Sequence, residues 1–179
     1  SPGMPTMKKG FTPSPERALG KQERKAFDAR LVRGFTPAPN GWVRGFTCGA
    51  FDLCHAGHIL MFKEAKKCCD YLIVGLQNDP SITREKYRGK KKNKPIMSLK
   101  ERRIILEGIR YIDKIITYRT EKELYKLIQK INPDVRIIGA DWKNKKFTGW
   151  DLPIKIYYNS RNHNFSTTEL RERIVRASK

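Results

Sequence analysis

The sequence predicts an α/β fold, a five-stranded parallel sheet with helices on both faces, in a single domain carrying an N-terminal extension. Three observations carry this. From Trp42 onward strand-like and helix-like segments alternate, the pattern of a parallel sheet built with helical crossovers. Tyr71 to Leu76 reads Tyr-Leu-Ile-Val-Gly-Leu, a near-continuous apolar run suited to a strand buried on both faces. A glycine-bearing turn, Gly49 to Gly57, joins the first strand to the first helix, at the carboxyl ends of the strands where such sheets bind ligands.

The elements follow in order. Residues 1–42 read as an extension, and residues 1–43 hold six of the ten prolines. The extension repeats a short motif, Gly10-Phe11-Thr12-Pro13 and then Gly34-Phe35-Thr36-Pro37, which recurs as Gly45-Phe46-Thr47 in the first strand. Pro15 to Leu31 between them has the composition of an exposed helix. Phe11, Phe27, Phe35 and Trp42 are costly to leave in water, which favours docking of the arm on its own domain or on a partner.

Residues 43–179 form the domain. Val43 to Cys48 is a strand, and Gly57 to Cys69 a helix whose Ile59, Leu60, Phe62 and Ala65 share helical spacing. Tyr71 to Leu76 is the second strand. Ser98 caps the next helix, with Glu101 completing a capping box. Lys114 to Tyr118 is a strand, Glu121 to Ile131 a helix, and Val135 to Ile138 a strand stopped by Gly139. Pro153 to Tyr158 is the fifth strand, and Ser166 or Thr167 caps a last helix reaching about Arg176.

A chain of 179 residues with 39% hydrophobic content is long enough and apolar enough to bury a real core. It contains no run of about 18 apolar residues, so no membrane span is expected. The start lacks a secretory pattern, and four cysteines in a chain of this length read as reduced thiols, so a cytoplasmic location is expected. A zinc site of Cys54, His58 and the Cys68-Cys69 pair ranks below plain core cysteines, because no paired C-x-x-C spacing appears. The formal net charge of +20 attracts anions, whether nucleotides, nucleic acid or an acidic surface. Nine basic and three acidic residues lie between Ser1 and Arg44, so the excess is shared by arm and domain alike.

The segment Gly49-Ala50-Phe51-Asp52-Leu53-Cys54-His55-Ala56-Gly57-His58 carries most information. A glycine turn ahead of a helix start lets backbone amides and the helix dipole meet phosphate. Two of the three histidines, His55 and His58, stand three apart, so both rings can enter one pocket and donate to charge on transferred and leaving phosphates. Capping or core packing accounts for a single histidine there, and much less readily for the pair.

The H-x-G-H spacing resembles the cytidylyltransferase-like nucleotidyltransferase superfamily. Gly49 to His58, Glu64-Ala65-Lys66, Asp70-Tyr71-Leu72, Glu107 to Asp113, Gly139-Ala140-Asp141-Trp142 and Ser166-Thr167-Thr168 together resemble bacterial glycerol-3-phosphate cytidylyltransferase over roughly Val43 to Ile174. The resemblance implies a Rossmann-like fold, usually dimeric. It also implies a magnesium-bound CTP donor and a small phosphorylated alcohol, whose phosphate attacks the α-phosphorus directly.

On that resemblance His55 and His58 hold phosphates, with Gly49, Ala50, Phe51 and Asp52 around the same nucleotide. Lys86 closes over the triphosphate, placed by the D-x-S-[IV]-x-x-x-K pattern of the related heptose nucleotidyltransferases, which begins here at Asp79. The other basic residues of Arg84 to Lys94 read as solvated surface. Arg102 matches the arginine that contacts acceptor or triphosphate. Gly139 and Asp141 match the strand-end nucleotide motif, and Trp142 either flanks base or ribose or packs in the core. Arg161, Ser166 and Thr167 match the R-x-x-x-[IV]-S-T-T block, where helix cap and phosphate site coincide. His163 has no family counterpart and reads as surface. Magnesium is expected to ride on the triphosphate, with no protein metal site.

Two departures stand out: Ala50 replaces a hydroxyl residue, and Ala140 the first of two acids. Two other readings stay open. One keeps the chemistry with ATP and a sugar phosphate. The other is a non-catalytic binding or assembly protein that turns its basic arm toward nucleic acid or a larger complex.

Overall fold

The computed structural model describes residues 42–82 and 93–179. The extension through residue 41, its helix at 15–31, and the run 83–92 with Lys86 lie outside the described residues. Five strands, β1 (Arg44–Gly49), β2 (Tyr71–Gln77), β3 (Lys114–Tyr118), β4 (Val135–Gly139) and β5 (Lys155–Asn159), form one sheet in the order β3-β2-β1-β4-β5. All four pairings are parallel. The helices are α1 (Ala56–Lys67), α2 (Leu99–Glu107), α3 (Glu121–Ile131) and α4 (Thr167–Ala177).

The apolar run of β2 alternates as a doubly covered strand must. Leu72, Val74 and Leu76 join the core with Phe62 and Ala65 of α1 and Leu106 of α2. Ile73 points the other way, with Phe46, Tyr118, and Leu124 and Ile128 of α3. Both faces are therefore sealed by helices, as the sequence predicts. Polar residues latch the sheet's lower edge: Asp70 Oδ2 accepts the Val43 amide and Asp134 Oδ2 the Arg44 amide, each at 2.8 Å. Beneath α1, Lys66 is ion-paired with Asp113 at 7% and 10% side-chain exposure. The lysine also donates to the Asp70 carbonyl at 2.7 Å, and Asp113 accepts the Leu72 amide at 2.8 Å. Such a buried pair is strongly destabilising to break, because the surviving charge has no solvent.

The chain leaves β1 toward β2 and β3, then returns to the other side of β1 with β4. Strand order thus reverses between β1 and β4, opening a crevice at their carboxyl ends. All four cysteines are free thiols; Cys68 and Cys69 are buried, and burial pushes the Cys69 thiol up to about 12.

Candidate active site

A cleft of about 460 Å³ occupies that crevice. The ends of β1 (Thr47, Cys48, Gly49) and β4 (Ile137, Ile138, Gly139) form its floor. His55, Gly57, His58, Arg161, His163, Ser166 and Thr167 form one wall, and Gln77, Tyr118, Glu121, Arg136 and Thr148 lie toward the other end.

The two histidines are built into the start of α1. His55 is its N-cap, and its Nδ1 accepts the Gly57 amide at 3.0 Å. His58, at the third helical position, accepts the His55 amide through its own Nδ1 at 3.1 Å. The rings thus form a reciprocal capping box, with centroids 4.1 Å apart. Capping, which the sequence reading set aside for the pair, is real and coexists with a cleft-facing role. Because each Nδ1 accepts, each neutral ring carries its proton on Nε2. Burial first, then the nearby His55 and Arg161 charges, push His58 down to about 4. His58 at neutral pH is therefore an uncharged donor. His55 is also lowered, by burial and then by His163.

The turn ahead of the helix is strained where the rings are aimed. Phe51 and Leu53, both bulky, take φ of 51° and 49°, in the left-handed region. Each such residue costs on the order of 1–3 kcal/mol and persists only where its surroundings impose it. Phe51 packs edge-on against His58 at 5.8 Å and against Phe62 at 5.1 Å, which holds the turn down. Gly57 has no room for a side chain. A Cβ there would stand 2.9 Å from Cε1 of both His55 and His163.

The amino terminus of α4 meets that of α1. Ser166 caps α4, accepting the Glu169 amide at 3.1 Å, and Thr167 Oγ1 lies 3.2 Å from His55 Nε2. Two helix dipoles therefore point their positive ends into one cleft, an arrangement that favours anions. Arg161 adds a cation at the rim. It pairs with Asp141 at 2.9 Å, and both side chains are more than half exposed, so the pair contributes little and can open.

Of the sequence-derived residues, Gly49, Phe51, His55, His58, Gly139, Trp142, Arg161, Ser166 and Thr167 line the cleft. Four of the described ones, Arg102, Asp52, Ala50 and Asp141, do not. Arg102 is 2% exposed and donates to the carbonyls of Met97, Ala50, Gln77 and Asn78. Its fork stitches the ends of β1 and β2 to the approach to α2. Asp52 accepts the Ile96 and Met97 amides at 2.8 and 2.9 Å and pairs with Arg171 of α4 at 3.1 Å, so it is a latch. Ala50 turns its carbonyl to Arg102. Asp141 stands exposed outside the cleft, holding Arg161.

His163 is the opposite case. Read from sequence as surface, it lines the cleft, with Nδ1 accepting the Phe165 amide at 3.1 Å. Sequence reasoning also missed Arg136, Gln77 and Asn159, which are nearly buried in the cleft's lining. The Arg136 guanidinium lies 4.9 Å over the Phe147 ring and donates to the Thr148 carbonyl. Gln77 Nε2 and Asn159 Oδ1 are buried without a hydrogen-bond partner. Asp79, which begins the lysine-loop pattern, folds that loop's start by accepting the Ser81 amide at 2.9 Å and hydroxyl at 2.6 Å, and these bonds lower its pKa.

No group of three or more His, Cys, Asp or Glu side chains that could hold a metal occurs among the described residues. Nor is any helix among them long and apolar enough to cross a membrane.

A family model described as cytidylyltransferase-like matches residues 46–173. A relative named Bifunctional protein HldE, from Wolinella succinogenes, is 40% identical over 107 residues, covering 60% of this chain and 22% of the relative. The protein of the same name from Helicobacter pylori is 37% identical over 131 residues, covering 73% of this chain and 27% of the relative. The chain thus spans about a quarter of the length of these curated relatives. Among solved structures, a lipopolysaccharide core biosynthesis protein from Thermoplasma volcanium is similar at 25% identity and a TM-score of 0.46, covering 77% of this chain and 90% of that one. Pantoate-beta-alanine ligase from Francisella tularensis is similar at 18% identity and a TM-score of 0.46, covering 83% of this chain and 73% of its own.

Proposed function

The chain belongs to the cytidylyltransferase-like family, and from that premise we propose that it transfers a nucleoside monophosphate from a nucleoside triphosphate to a small phosphorylated acceptor, releasing pyrophosphate. The observation that carries this reading is the convergence of two helix amino termini, α1 and α4, on the His55–Thr167 contact at 3.2 Å. That is a place for a polyanion, and His58 presents an uncharged N–H beside it.

In this reading an acceptor phosphate oxygen attacks the α-phosphorus. A new P–O bond forms as the bond to the bridging oxygen breaks, and the electron pair leaves with pyrophosphate. The protein supplies position and hydrogen bonds, and no covalent intermediate is needed. His55, His58, Thr167 and Arg161 steady the triphosphate oxygens, and Lys86 is the lysine that the resemblance assigns to the same phosphates. Magnesium would be carried by the triphosphate, where it would supply charge neutralisation. Among the described carboxylates near the turn, Asp52 is engaged with amides and Arg171, and Asp141 with Arg161.

For the substrate pair, the blocks from Gly49 to His58 and from Gly139 to Trp142 support CTP with a glycerol 3-phosphate-like alcohol. A second reading, ATP with a sugar phosphate, is supported by the Asp79 to Lys86 pattern, which resembles that of the heptose nucleotidyltransferases. Pyrophosphate release with four nucleoside triphosphates against glycerol 3-phosphate and sugar phosphates separates them. Release with none of the pairs rejects the proposed activity. A homodimer is the proposed assembly, and sedimentation of the full chain tests it.

A further inference from the structure

Asn159 ends β5, is 6% exposed, and lines the cleft with its Oδ1 buried and unpartnered. A buried acceptor left without a donor costs roughly 1–3 kcal/mol. Native structures hold few such groups, and each calls for a reason. Its neighbours supply one. Asn159 stands opposite Gly139 in the β4–β5 register. A Cβ placed on Gly139 would lie 3.9 Å from Asn159 Oδ1 and 3.9 Å from Trp142 Cδ1. Because Gly139 carries no side chain, the space between the amide oxygen and the indole stays open. That space has an aromatic flank on one side and a hydrogen-bond acceptor on the other, the pair of contacts a nucleobase uses.

We infer that Asn159 reads the nucleobase of the donor, accepting a hydrogen bond from an exocyclic amino group. Adenine N6 and cytosine N4 are donors at that edge, whereas guanine O6 and the O4 of a uracil-type base are acceptors that would face the amide oxygen with like polarity. The site therefore selects bases with an amino group at the 6-position of a purine or the 4-position of a pyrimidine, a property common to both substrate pairs considered above, and the inference rests on the nucleotidyltransferase reading. The acceptor's cost in the free protein is recovered only when the correct base arrives, which makes it a device for discrimination.

The test is equilibrium titration of the full chain with ATP, CTP, UTP and GTP in magnesium, for wild type, Asn159→Leu and Asn159→Asp. Wild type is expected to bind ATP or CTP about tenfold or more tighter than UTP and GTP. Asn159→Leu loses that preference by weakening only ATP and CTP. It melts no lower than wild type, because the buried oxygen removed was unpartnered. Asn159→Asp keeps an acceptor oxygen and keeps the order of preference. Equal binding of all four by wild type, a preference for UTP or GTP, or an unchanged profile in Asn159→Leu overturns the inference. Binding of no triphosphate at all by wild type rejects the parent reading as well, so the two failures are distinct.

Discussion

His58 accepts the backbone amide hydrogen of His55 through Nδ1 at 3.1 Å, so the ring facing the cleft is also the bracket that shapes the turn before it. Two consequences follow from one bond. The remaining proton sits on Nε2, and the orientation of the ring is set by the helix start and not by the ligand.

His58→Ala is therefore expected to do two kinds of damage. Turnover should fall by roughly a hundredfold or more, the usual effect of removing one donor to developing charge. The start of α1 should lose about 1 kcal/mol of capping. Glutamine at this helical position completes an ordinary capping box. His58→Gln should thus restore the melting temperature while leaving turnover low. Turnover recovering along with stability would mean that the ring matters only as a cap.

The depressed pKa of His58 makes a signed prediction about acid. In the unfolded chain the ring titrates near its ordinary value of about 6.5, and in the folded protein near about 4. Between those values the unfolded state binds more protons, so stability present above pH 6.5 declines as pH falls toward 4. His55, also lowered, acts in the same direction. Urea melts at pH 7 and pH 5 should show the loss, and His58→Gln should reduce it. An identical loss in that variant would place the acid sensitivity elsewhere.

Arg102, nearly buried, donates to four backbone carbonyls, so its removal takes a charged donor from each. Arg102→Ala is expected to destabilise the fold by roughly 3–5 kcal/mol. Arg102→Lys, which cannot reproduce the fork, should fall between. The triphosphate Kd of the folded Lys variant should match wild type. A selective loss of triphosphate affinity at wild-type stability would return Arg102 to the binding site.

Lys66 and Asp113 offer a check on the frame independent of any ligand. Lys66→Met should cost about 3–5 kcal/mol in denaturant melts, since it strands a buried carboxylate. Adding Asp113→Asn should recover part of that loss. A double variant that behaves as the sum of two independent losses would contradict the coupling.

Much of the frame was legible in the residues. Lys114–Tyr118 and Glu121–Ile131 appear as read, because Thr120 between them is a cap whose side chain accepts the Glu123 amide. Ser98 and Glu101 form the expected box. These signals are local, and local chemistry decides them. What escaped reading depends on contacts between distant segments. Arg102 reads as a phosphate ligand, and the three carbonyls that β1 and β2 bring to it carry no mark in the sequence. His163 looks like surface until α4 folds its approach over Gly57. Arg136, Gln77 and Asn159 carry no spacing signal, since their place in the cleft comes from strand order and register.

The central claim is that the paired imidazoles and helix termini at this crevice hold a triphosphate. Calorimetric titration of the full chain with each of the four nucleoside triphosphates in magnesium tests it most directly. The account predicts saturable heat for at least one of them in wild type and a binding constant weakened roughly tenfold or more in His58→Gln. No heat with any triphosphate in wild type, or equal affinity in the folded variant, would contradict it.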